Sequence, residues 1–158
     1  MAEEQQQPQP VFTIEKIYVR DLSVEVPNAP QVFLEREQPR IDVQLSTEAK
    51  PVNDGHYEVT LSVTTTAKAN DKTMFLVEAH QSGIFQIRNI PNESMDLVLS
   101  ITCPNILFPY VRETVSDSIT RCGFPPFLLA PVNFEALYQQ RMQEQGNQAG
   151  APAAQVTH

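Results

Sequence analysis

The sequence predicts an α+β chain, with an antiparallel sheet that has one wet face and a helical half that follows it. Three observations carry this. From about Phe12 to Ile87, apolar and polar residues alternate with period 2, the mark of strands covered on one side only. From Asn92 onward the apolar residues recur at helical spacing. The 13 prolines of the 158-residue chain fall largely at the boundaries between these segments. A 17.8 kDa chain reads as one domain, and at this size about 70% of the unfolded surface can be buried without a disulfide or metal. The expected organisation is a disordered leader over residues 1–10, one folded domain over 11–143 and a disordered tail over 144–158, where Gly, Gln and Ala replace apolar residues.

The first strand runs from Phe12 to about Val26. In its later part Leu22, Val24 and Val26 point one way and Asp21, Ser23 and Glu25 the other. Pro27-Asn28-Ala29-Pro30 ends it. The stretch from Gln31 to Gln38 has no clear period and is long enough to be a crossover, so the first two strands need not be neighbours. Ile41, Val43 and Leu45 alternate in a second strand, and Tyr57, Val59, Leu61, Val63 and Thr65 in a third, with Asp54-Gly55 at a turn between them. Ala69-Asn70-Asp71-Lys72 reads as a hairpin turn. It leads to a strand in which Phe75, Val77 and Ala79 oppose Met74, Leu76, Glu78 and His80. Gly83 marks an expected bulge or bend.

In the helical half, Asn92 or Ser94 can cap a short helix that ends or kinks at Pro104. Asn105 can cap a second helix, with Phe108, Val111, Val115, Ile119 and Cys122 along one stripe and Gly123 as its C-cap before Pro125-Pro126. A last helix begins at a cap on Asn133, with Phe134, Leu137, Tyr138, Arg141 and Met142 on its face.

Eleven basic against 19 acidic residues give a net charge of −8, which argues against nucleic acid and against an anionic membrane surface. No run approaches the roughly 20 apolar residues of a bilayer span. The polar, acidic N-terminus lacks signal-peptide features, so a cytoplasmic location with Cys103 and Cys122 reduced is expected. Those cysteines have no partner spacing for zinc, and no metal or cofactor is expected. Arg121 beside Cys122 is expected to lower that thiol modestly. No catalytic residue emerges. His56 sits at a turn, His158 ends the tail, and His80 lies on the wet face of a strand.

Two features remain. Asp21, Glu25 and Glu78 all point outward with Leu76 beside them, either as an ordinary solvated face or as a docking surface for a basic segment. Val32, Phe33 and Leu34 in the crossover, and Phe124, Phe127, Leu128 and Leu129 after Gly123, are apolar residues in loops. Beside Phe134, Leu137 and Tyr138 they are either core or the lining of a groove for apolar peptide.

The helical half resembles the SecB protein-export chaperones. The resemblance rests on Cys103-Pro104-Asn105-Ile106-Leu107-Phe108-Pro109-Tyr110 with Arg112-Glu113, on Phe124-Pro125, on Leu129-Ala130-Pro131-Val132-Asn133-Phe134 and on Ala136-Leu137. Ile17-Tyr18, Asp21, Glu25, Pro27-Asn28-Ala29-Pro30 and Gly83-Ile84-Phe85 carry it into the sheet half, so it spans roughly Phe12 to Met142.

The resemblance implies a four-stranded antiparallel sheet with helices on one face, assembled as a homotetramer, a dimer of dimers. It implies an ATP-independent chaperone that holds precursor proteins unfolded and delivers them to the SecA motor. Carried over by position, the SecA-binding patch is Asp21, Glu25, Leu76 and Glu78, and the client groove is Phe33, Leu34, Phe127, Leu128, Phe134, Leu137 and Tyr138. Phe108, Val111, Val115 and Ile119 are placed at the tetramer interface. The rival expectations are a SecB-like chaperone dedicated to a toxin–antitoxin system and a small α+β enzyme.

Overall fold

The computed structural model describes residues 7–149. Four strands, β1 (Val11–Glu25), β2 (Arg40–Asn53), β3 (His56–Ala69) and β4 (Lys72–Arg88), form one antiparallel sheet in the order β1-β4-β3-β2. The crossover, with a short 3-10 helix at Gln31–Leu34, carries the chain from one edge to the other, so β1 and β2 are the two edge strands. The hairpin between β3 and β4 turns on Asn70 and Asp71, both at positive φ (51° and 60°), the geometry that matches the twist of the flanking strands.

Alternation places Val59, Leu61 and Val63 of β3 and Val77, Ala79 and Phe85 of β4 in the core. Met74, expected on the wet face, is buried. Ala67 pairs with Phe75 and Lys68 with Thr73, so Met74 is an extra residue in the ladder and its side chain turns inward. The sheet holds three further bulges, but none at Gly83, through which β4 runs unbroken. Two lie opposite, on β1, where Glu15 and Arg20 are the extra residues, and one lies at Val52 near the end of β2.

The helical half departs from the expected stops. α1 (Asn92–Leu97), a π-helical turn (Val98–Thr102) and α2 (Cys103–Arg121) form one continuous run, and neither Asn92, Ser94 nor Asn105 acts as a side-chain cap. Pro104 sits in the first turn of α2, where the wider turn before it makes room for a ring that would meet the carbonyl four residues back in a regular helix. Gly123 (φ 90°) closes α2 as expected. Its N–H bonds the Thr120 carbonyl and that of Phe124 bonds the Ile119 carbonyl, a Schellman motif. Arg121 turns out to Asp117 (2.9 Å), so burial pushes the Cys122 thiol up rather than down, and buried Cys103 is pushed up to about 12.

α3 (Phe134–Ala149) begins at Asn133, whose Oδ1 accepts the Ala136 N–H at 3.0 Å. It continues past the boundary expected at residue 143, although residues 139–148 are all exposed. Residues 1–6 of the expected leader and 150–158 of the expected tail lie outside the described residues. The run Asn92–Arg121 is long enough to span a bilayer and holds an 18-residue window of mean hydropathy 1.2, but its apolar stripe lies on its own sheet, with Leu107, Val111, Val115 and Ile119 fully buried.

Candidate functional site

α2 is a cylinder about 10 Å across, while the outer strands of a four-stranded sheet stand about 14 Å apart. It therefore covers the central strands β3 and β4 and leaves the opposite face of the sheet open. On that open face the register sets rows of residues across the strands. Glu25 pairs with Leu76, then Thr66 and Asp42. Ser23 pairs with Glu78, then Thr64 and Gln44. Asp21 pairs with His80, then Ser62 and Ser46. The four residues of the expected acidic patch are thus brought together in three adjacent rows.

Asp42 and Glu48 of β2 extend the acidic field toward the far edge, an extension that the strand alternation alone could have shown. Among the described residues, Asp21, Glu25, Asp42 and Glu48 have no cation within ion-pair distance. Two nearby cations are held elsewhere: Arg20 and Lys50 both pair with Glu58, which also accepts the Tyr18 hydroxyl. Burial pushes the Glu58 carboxyl up, but these three partners outweigh it and hold it below the usual carboxylate range. A shallow hollow of about 630 Å³ lies over this face, lined by Arg20, Asp21, Glu48, Lys50, Glu78 and His80 among others.

The residues of the expected groove do not form one surface in this chain. Phe33 stacks on Phe124 (centroids 5.1 Å apart) at the end of α2, with Leu34 beside it and 81% exposed. Leu128 lies on the outer side of α2 with Pro109, Arg112 and Thr120. Leu137 and Tyr138 line a cavity of about 210 Å³ with Leu45, Thr47 and Ser100, and the Tyr138 hydroxyl donates to Asp96 at 2.7 Å. Phe127 is half-buried against the core, and Phe134, 3% exposed, is core itself, edge-on to Phe108 at 6.1 Å.

The stripe expected at the tetramer interface is also internal. Phe108, Val111, Val115 and Ile119 are buried within the single chain and have no surface to offer a second copy. What α2 leaves uncovered is β1, whose helix-side residues Phe12, Ile14, Val19, Leu22 and Val24 are all exposed. Their alternation reads as core in the sequence. The missing signal was width, because one helix cannot roof four strands. Among the described residues no three His, Cys, Asp or Glu side chains stand close enough to hold a metal ion.

The family model "Preprotein translocase subunit SecB" matches residues 5–145. Protein-export protein SecB of Chromobacterium violaceum is 62% identical over 94% of this chain and 99% of its own length. That of Nitrosospira multiformis is 57% identical over the whole of both chains. Among solved structures, the SecB-like chaperone Rv1957 of Mycobacterium tuberculosis, in complex with a peptide of the HigA1 antitoxin, superposes with a TM-score of 0.65 over 77% of this chain and 91% of that one. At 17% identity this is a likeness of fold.

Proposed function

This chain belongs to the SecB family of protein-export chaperones, and from that premise we propose that it holds precursor proteins unfolded in the cytoplasm and delivers them to the SecA motor. The observation that carries this reading is the division of surfaces. Unpaired carboxylates lie in register on the open sheet face, and uncovered apolar residues lie on the helix side. Each apolar side chain that a client buries is worth about 1.5–3 kcal/mol, so several weak contacts along one unfolded chain give tight holding without chemistry. The sequence has no phosphate-cradling glycine loop, so release falls to the motor, whose basic segment docks on Asp21, Glu25, Leu76 and Glu78. Holding of this kind requires no catalysis of its own.

A second copy is proposed to cover the apolar stripe of β1 and, with it, to build the homotetramer. Client contacts are proposed at Phe33, Leu34, Leu128, Leu137 and Tyr138, joined across copies rather than within one. Static light scattering with and without an unfolded precursor tests both parts. The expected particle has four times the 17.8 kDa chain mass, and it holds the precursor below the size of aggregates without nucleotide. A monomer-sized particle contradicts the assembly, and unchecked aggregation at one tetramer per precursor contradicts the chaperone reading.

A further inference from the structure

His80 stands in the middle of the acidic face. Its Nδ1 is 2.6 Å from Ser62 Oγ, its Nε2 is 3.1 Å from Glu78 Oε1, and its cross-strand partner on β1 is Asp21. A neutral ring satisfies both bonds at once, with Nε2–H donating to the Glu78 carboxylate and the Ser62 hydroxyl donating to Nδ1. One carboxylate oxygen is thereby held in a fixed position, while the Glu78 side chain remains half-exposed to solvent. A second proton on the ring places a full positive charge between Glu78 and Asp21, where it competes with any cation arriving from outside.

The other charged groups around the ring are Arg20 and Asp21 on β1, Glu48 and Lys50 on β2, and Glu78 on its own strand. The residues facing it from β3, namely Thr60, Ser62 and Thr64, carry no charge, and Glu58 beyond them occupies Arg20 and Lys50. Histidine is the side chain whose charge changes between about pH 5 and pH 8.

We propose that His80 belongs to the docking surface: it holds Glu78 in place, and its charge sets how tightly the face takes a Lys/Arg-rich segment, tightly when neutral and weakly when protonated. This rests on the docking role of the acidic face proposed above. The partner chemistry follows from charge complementarity, since among the described residues Asp21 and Glu48 beside the ring, and Glu25 and Asp42 two rows away, lack a cation of their own. By linkage, a bound basic segment also disfavours protonation of the ring.

The test measures binding of a fluorescein-labelled Lys/Arg-rich peptide to the full-length protein, by anisotropy, at about pH 7.5 and about pH 5.5 and constant ionic strength. Wild-type affinity is expected to fall about three- to tenfold on acidification. His80→Gln, and His80→Asn as a second neutral variant, are expected to lose much less, because neither side chain can take up the second proton that makes the ring a cation. An equal fall in wild type and both variants, or no fall in the wild type, overturns the proposal. If the peptide fails to bind at either pH, or binds Asp21→Asn and Glu78→Gln as tightly as wild type, the docking reading itself fails and this inference with it.

Discussion

At Gly83 a methyl group would stand 2.8 Å from the Phe85 ring and 3.1 Å from Cδ2 of Leu107, both of them fully buried. The glycine lets α2 settle closely onto β4 on the helix side of the sheet. Gly83→Ala is expected to cost about 1–3 kcal/mol through overpacking, read as a lower urea midpoint with an unchanged slope. An unchanged midpoint would show that the ring and the helix give way easily. The glycine was legible in the sequence as special, but its reason was not, because it lies in a contact between residues 24 positions apart in the chain. The same holds at Met74 and Arg20. A bulge is a property of two paired strands, and alternation in one strand does not show where its partner slips.

Among the elements, the strands and their turns were readable because the local pattern and the buried face agree. Helix ends were less so. Pro104 reads as a stop, yet one wide turn absorbs it, and the energy for that comes from burying Cys103, Leu107 and Phe108 rather than from local preference. α3 is the converse case. From Gln139 to Gln148 it buries nothing, and it is anchored by its first turns through Phe134, the Asn133 cap and the Tyr138–Asp96 hydrogen bond. Amide exchange is therefore expected to be slow near Leu137 and fast beyond Met142. Asn133→Ala should cost the helix about 1 kcal/mol and speed exchange along its whole length. Uniform protection to the end of α3 would contradict this anchoring.

For the whole molecule, the net charge of −8 has a spatial order. Carboxylates gather on the open sheet face, and the cations nearest them are held by Glu58. The acidic patch was legible in the sequence because its members follow strand alternation, and the register brings them into adjacent rows. The apolar surfaces were not, because whether Val115 or Leu22 is covered depends on how wide a roof one helix makes over four strands. The central claim is that docking and holding use opposite sides of the fold. The direct measurement is the double charge reversal Asp21→Lys with Glu25→Lys, assayed in one preparation for binding of a Lys/Arg-rich peptide and for suppression of precursor aggregation. Peptide affinity is expected to fall at least about tenfold while suppression stays within about twofold of wild type. Equal loss of both would contradict the separation of the two faces.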